Sequence, residues 1–370
     1  MTANSRAAKS FLGVERHVLT LALAQEARGS TVTVVVNQRG VFSEACDRHG
    51  LSLVVVENLK QDSLRALFKS IGAEVVHCHV PLAATRAIPV GNQLRIPCVL
   101  TLHTNAPAQG NAEAAALLND AKNAGLRFAT VSVSKRLFEA IEQLRFLGAD
   151  HYYVSNCTKP VETGNTQPGE STRISPARHP DFILVGSVTM TKGVDIAVLA
   201  MADMRRRYRD DCPVLNIYGD GDKMDYIKEM ISVLSLTDVV RMHGFKLDIL
   251  ENCPNTDILL MPSRSETGPL VVLEAMSRGM PIVATDVGEV REWLPDRRYG
   301  RVARTYSIVA LADAMESILT DVSNGQFDPG LLIERHRSCY TPEIMAQRID
   351  DVYKRATVSE SRVMTADARG

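Results

Sequence analysis

The spacing of hydrophobic positions changes repeatedly along this chain. Between 14 and 27 (VERHVLTLALAQEA) apolar residues recur every three or four positions, which predicts an amphipathic helix. TVTVVVN at 31–37 is short, β-branched and apolar without interruption, which predicts a buried strand. SLVVVE (52–57) and EVVHCHV (74–80) read as further strands, with a helix at 62–71 and another after 80. PCVLTLH (97–103), FATVSVS (128–134) and HYYVSN (151–156) continue the series, with helices near 111–123 and at 135–147. Strands apolar on both faces, separated by helices, predict a parallel sheet covered on both sides.

The alternation stops at 158–180, TKPVETGNTQPGESTRISPARHP, where Pro, Gly, Ser and Thr replace any apolar period. It resumes with DFILVGSV (181–188), a helix at 194–208, VLNIYGDGD (214–222) and a helix at 223–234. VVRMHG (239–244), TDILLMPS (256–263), a helix from 269, PIVATD (281–286) and a helix at 308–321 follow. Ile344, Met345, Ile349, Val352 and Tyr353 then follow a helical period. The predicted organisation is an α/β chain of two doubly wound Rossmann-like domains: an N-terminal one at 1–157, a linker at 158–180 and a C-terminal one at 181–340. A helix at 341–357 crosses back to the first domain, and a flexible tail occupies 358–370. Ligands bind open parallel sheets outside the carboxyl ends of their strands, so the expected site is the crevice between the two domains. One rule is broken: MTANSRAAKSFLG, ahead of the first helix, is a poor strand where a central one is expected.

Composition narrows the partners. The net charge is −1 with no run of five like charges, which argues against nucleic acid. The seven cysteines include no C-x-x-C pair and read as reduced, mostly buried thiols. No apolar stretch approaches the roughly 18–20 residues of a membrane span. The N-terminus is too polar for a signal peptide. The expected location is the cytoplasm, where a peripheral contact with the inner face of the membrane is compatible with the sequence.

The segment richest in chemistry runs from Pro262 to Met276 (PSRSETGPLVVLEAM). A strand ends at Pro262, and Pro269 is suited to the first position of a helix. The N-terminus of that helix, with its free amides and dipole, suits a phosphate. Glu266 and Glu274 flank it, and because carboxylates repel phosphate they are expected to address hydroxyls. A diphosphate flanked by hydroxyl-rich groups describes a nucleotide-sugar. His103 closes a buried strand and is a candidate for the same crevice. His77 and His79 share one strand face, but no third ligand is evident nearby, so they read as core or sheet-edge histidines, and no metal site is expected. Gly219-Asp220-Gly221 lacks the third glycine of a dinucleotide fingerprint and reads as a strand–helix turn. Trp293 reads as core.

The spacing of Glu266 and Glu274 resembles the E-x7-E motif of the family 4 retaining glycosyltransferases, which have the two-Rossmann-domain GT-B architecture. The resemblance extends through Lys192-Gly193-Val194-Asp195, Gly219-Asp220-Gly221, Met242-His243-Gly244-Phe245, Asp257 and Gly279-Met280-Pro281. In the first half it rests on Gly13-Val14-Glu15-Arg16, VVHCH at 75–79 and TLHT at 101–104. It implies that Glu266 binds hydroxyls of the donor sugar and Glu274 those of the ribose. Lys192 neutralises the leaving diphosphate, amides near Gly268, Leu270 and Val271 hold the distal phosphate, and His103 faces the transferred sugar. Gly13 and Gly244 complete the donor-binding set. The implied catalytic residues are Lys192, Glu266 and His103. The donor is a UDP- or GDP-linked sugar, no cofactor or metal is implied, and the acceptor is a saccharide or a lipid-linked molecule. Polysaccharide or glycoconjugate biosynthesis is the setting. The chain departs from the family at Ser187, where Arg is common, at Thr267-Gly268-Pro269, and at Leu12-Gly13. The competing readings are a sugar-nucleotide epimerase or hydrolase on the same architecture, and a non-catalytic glycosyltransferase-like partner subunit.

Overall fold

The structure is a computed structural model that describes residues 13–103, 120, 123–144, 150–161, 180–246, 249–252 and 257–367. It divides into two compact units. The N-terminal unit comprises Met1–Cys157 with Pro342–Gly370, and the C-terminal unit comprises Thr158–Thr341.

The N-terminal unit runs α1 (Gly13–Ala27), β1 (Thr33–Val36), α2 (Val41–Arg48), β2 (Ser52–Val55), α3 (Gln61–Ser70), β3 (Val76–Cys78), α4 (Pro81–Gln93), β4 (Cys98–Leu102), β5 (Ala129–Ser132), α5 (Lys135–Leu144) and β6 (His151–Tyr153). Its strands form two parallel sheets, β1-β2 and β3-β4-β5-β6. Alternate residues of β1 serve opposite faces. Val34 and Val36 pack with Leu19 and Ala22 of α1, while Val35 packs with Phe68, Ala84 and Ile88. That two-sided burial is why the strand reads as an unbroken apolar run. The strand expected before α1 and most of the helix expected near 111–123 lie outside the described residues.

The C-terminal unit runs β7 (Phe182–Val185), α6 (Val194–Tyr208), β8 (Leu215–Tyr218), α7 (Met224–Val233), β9 (Val240–Met242), α8 (Ile249–Asn252), β10 (Ile258–Met261), α9 (Leu270–Ser277), β11 (Ile282–Thr285), α10 (Val290–Trp293), β12 (Arg301–Ala303), α11 (Ile308–Ser323) and α12 (Pro329–Cys339). Its six strands form one parallel sheet in the order β12-β11-β10-β7-β8-β9. Ile258 and Leu260 face the α6–α11 side, whereas Leu259 and Met261 face α9, α10 and α12. Trp293 is fully buried there. The strand order reverses between β7 and β10, so the chains leaving these two strands diverge and open a crevice at their carboxyl ends.

The last helix, α13 (Pro342–Asp367), returns to the N-terminal unit. Met345, Ala346, Ile349, Val352 and Ala356 pack with Leu21 and Ala24 of α1 and with Val99 and Val131 of the sheet. The helix continues well past 357, across most of the segment expected to be a flexible tail, because no Gly or Pro interrupts 358–367. Pro269 also differs from expectation. It is the residue before α9, with extended backbone (φ −70°, ψ 105°), and Leu270 is the first helical residue.

Candidate donor site at the sheet switch point

Two loops meet at the carboxyl ends of β7 and β10. The first, 186–193, carries Ser187 and Lys192; the second, 262–269, carries Glu266. Close backbone approach holds them together. Gly193 has φ +68°, and a Cβ on it would stand 2.1 Å from the Pro262 carbonyl oxygen. The Arg264 amide donates to the Thr191 carbonyl at 2.8 Å. The Arg264 guanidinium donates to both Asp195 carboxylate oxygens, at 2.7 and 2.5 Å, and to the Met190 carbonyl at 2.6 Å. From β11, Thr285 Oγ1 donates to the Ser263 carbonyl at 2.5 Å. Gly288 (φ +51°) lies against the 266–267 backbone, and a Cβ there would meet the Thr267 oxygen at 2.2 Å.

This frame brings Lys192 and Glu266 into contact. Lys192 Nζ donates to Glu266 Oε1 at 2.7 Å, and Ser263 Oγ donates to the same oxygen at 2.9 Å. The Glu266 side chain is 14% exposed and that of Lys192 34%. Ser187 is exposed on the first loop. That loop leans on the Gly219–Gly221 turn, because the Val188 amide donates to the Asp220 carbonyl at 2.9 Å. The Gly219 amide in turn donates to the carbonyl of Gly244, which follows β9. These contacts give the Gly-x-Gly turn a supporting role.

α9 begins beside Glu266. Its N-cap residue, Pro269, makes no side-chain capping bond. Leu270, Val271 and Glu274 are partly exposed, whereas Val272, Leu273, Ala275 and Met276 are buried, so Glu274 stands on the same open face as the first turn. Gly268 precedes this turn. The supporting residues to which the sequence reading gave no role are Ser263, Asp195, Thr285 and Gly288. They are small or polar residues beside strand ends or, for Asp195, in the first turn of α6, and their partners lie up to 69 residues away.

Gly13 and His103 belong to the N-terminal unit. Gly13 opens α1 and is exposed, and no other part of the described chain comes within 4 Å of where a Cβ would stand. His103 follows β4 and is surrounded by histidines. His79 Nδ1 and His103 Nε2 are 3.3 Å apart, and the ring centroids of His17 and His103 are 4.6 Å apart. His77 also stacks on His79, at 4.1 Å. The expectation that His77 and His79 lack a further ligand nearby is therefore corrected: α1 and β4 bring His17 and His103 to His79, and a group of three imidazoles forms. Burial holds His77, His79 and His103 well below the usual imidazole range, and lowers His17 to about 4 against the pull of its Asn156 hydrogen bond. All four are neutral at pH 7.

Among known proteins, residues 12–154 match the Glycosyltransferase Family 4 domain and residues 172–326 match Glycosyl transferases group 1. The chain is 29% identical over 187 residues to an alpha-D-kanosaminyltransferase of Streptomyces kanamyceticus, covering 50% of this chain and 46% of that protein. It is 26% identical over 268 residues to a D-inositol 3-phosphate glycosyltransferase of Arthrobacter sp. (strain FB24), covering 67% of this chain and 62% of that one. The matches thus span less than two thirds of either relative. In fold it is similar to the Anabaena protein HepE in complex with UDP, with a TM-score of 0.77 at 18% identity over 95% of this chain and 98% of that one. A glycosyltransferase from Rickettsia africae also superposes, with a TM-score of 0.77 at 14% identity, covering 96% and 97%. The first half of the chain thus matches a family 4 glycosyltransferase domain and the second half a group 1 glycosyl transferase domain, on two Rossmann-like sheets of GT-B fold.

Proposed function

We propose that the protein transfers a sugar from a nucleoside diphosphate sugar, UDP-linked in the first instance, to a hydroxyl of a saccharide or lipid-linked acceptor, with retention at the anomeric carbon. The observation that carries this reading is the Lys192–Glu266 pair beside the start of α9, at the point where the strand order reverses. A diphosphate leaving group gathers negative charge as its bond to the sugar breaks. An ammonium and a helix N-terminus already in place stabilise that charge without reorganising. Glu266 is held by Lys192 and Ser263 through one oxygen, Oε1, and its other oxygen is suited to accept a sugar hydroxyl. Glu274, one turn into the helix, suits the ribose hydroxyls. The Anabaena protein of the same fold binds UDP and UDP-glucose, which favours uridine over guanosine as the first donor to test.

Binding of UDP-glucose and GDP-glucose by calorimetry, in the wild type and Glu274→Ala, tests this reading. Loss of a charged acceptor from a buried hydroxyl pair costs about 1.5–3 kcal/mol, roughly ten- to a hundredfold in affinity. Unchanged affinity in Glu274→Ala overturns the assignment. Donor binding and turnover should also persist in EDTA, because Lys192 and the helix terminus hold the diphosphate; loss restored by magnesium or manganese refutes that part. Ser187 favours a second reading, a binding subunit without turnover, because the family's second diphosphate cation is missing. Donor binding with no transfer to any acceptor decides for it.

A further inference from the structure

The N-terminal unit contains a cluster of which the donor reading uses only His103. The ligand-capable nitrogens of His17, His79 and His103 all lie within 4.8 Å of one another, with His17 and His79 buried and His103 partly so. Two details separate this cluster from ordinary packing. His17 Nδ1 lies 3.0 Å from Asn156 Oδ1, an oxygen that can only accept, so Nδ1 carries the proton. His17 Nε2 then holds a bare lone pair, and it is buried with no hydrogen-bond partner among the described residues. His79 Nδ1 and His103 Nε2, 3.3 Å apart, match the separation of two nitrogens on one tetrahedral ion, about 3.3 Å for bonds of about 2.0–2.1 Å. The fourth imidazole is excluded by its bonds: His77 Nδ1 is 2.7 Å from the Tyr353 hydroxyl and Nε2 is 2.7 Å from Thr101 Oγ1.

We infer that His17, His79 and His103 form a binding site for a divalent transition-metal ion of the zinc class, with Asn156 orienting His17 and one coordination position left to water. Three neutral nitrogens without a carboxylate suit zinc, cobalt or nickel and are a poor set for magnesium or calcium, which take oxygen ligands. Each ring coordinates through the nitrogen that bears no proton. For His17 that is Nε2, because Asn156 fixes the tautomer, as outer partners of metal-bound histidines commonly do. The inference leaves the diphosphate on other residues, in the other unit; of the donor reading it engages only His103, the residue implied to face the transferred sugar.

The test uses the full chain, stripped with EDTA and titrated with cobalt(II) and then zinc. One equivalent of cobalt should bind and give the intense visible absorption of tetrahedral coordination, and zinc should bleach it. His17→Gln and His79→Gln should each weaken binding by more than tenfold, and Asn156→Ala by about ten- to a hundredfold. His77→Gln should change it little. Near-UV circular dichroism verifies that each variant is folded. If His17→Gln unfolds, Asn156→Ala carries the test. Absence of a tetrahedral cobalt spectrum overturns the site. So does a near-ultraviolet thiolate charge-transfer band, which would place the ion on cysteine, and so does equal loss in His77→Gln and His79→Gln.

Discussion

Two glycines decide whether the loop chemistry can exist. Gly193 and Gly288 sit at φ +68° and +51° with carbonyl oxygens where a Cβ would be, and between them they press the Glu266 loop into place. Gly193→Ala combines a left-handed backbone with a clash, at roughly 1–2 kcal/mol and 1–3 kcal/mol respectively. It should lower the urea midpoint of the C-terminal unit and weaken donor binding together, because Lys192 is its neighbour. A stable variant with normal affinity contradicts this account of the loop. Arg264, on the neighbouring loop, does not stand in for the diphosphate cation missing at Ser187, because Asp195 holds its guanidinium by two bonds. Ser187→Arg should therefore strengthen donor binding or turnover by about ten- to a hundredfold, the value of a charge-assisted bond to phosphate. No gain in calorimetry or initial rate means that another group already fills the role.

Among the elements, α13 shows how a helix distant in sequence completes a core. Its buried stripe covers Val99, Val131 and Val154, and Asp350 accepts from Nε of Arg28, the residue after α1, at 3.0 Å. Ile349 is fully buried there. Ile349→Ala should destabilise the N-terminal unit by about 2–5 kcal/mol, through lost transfer energy and the cavity left behind. Hydrogen exchange resolved by unit checks this: protection should fall in β4 and β5 while β10 and β11 stay unchanged. Protection falling equally in both units argues against the packing described.

For the molecule as a whole, histidines make the two units differ in their response to acid. The N-terminal unit holds buried His17, His79 and His151 and partly buried His77 and His103 in neutral form, with His17 and His151 lowered to about 4 by desolvation. The C-terminal unit has His336 at about 4 and a more exposed His243. A histidine with a depressed folded pKa contributes stability that is complete above about 6.5 and is lost as pH falls towards the folded value, since the unfolded chain binds the proton first. Each such group steepens the loss by up to about 1.4 kcal/mol per pH unit between roughly 6.5 and 4. Denaturation followed unit by unit at pH 7.5 and 5.0 should show the N-terminal unit losing far more stability. An equal loss in both units contradicts this.

The sequence by itself determined the strands and long helices, because buried parallel strands must be apolar on both faces and their covering helices must keep a 3.6-residue period. It also determined the E-x7-E spacing, the lysine upstream of it and the helix that follows, all features of local order. It missed α2, α12 and β12, and the four-residue helices α8 and α10. α2 spans only eight residues, α12 buries only Leu332 and His336, and β12 is three residues built around an arginine. Such pieces draw their stability from neighbours and show no period of their own. Only the tertiary structure joined Lys192 to Glu266 across 74 residues and gathered His17, His79 and His103 from α1, the end of β3 and the end of β4. Strand order and sheet register bring those partners together, and neither is written into any one stretch of the chain.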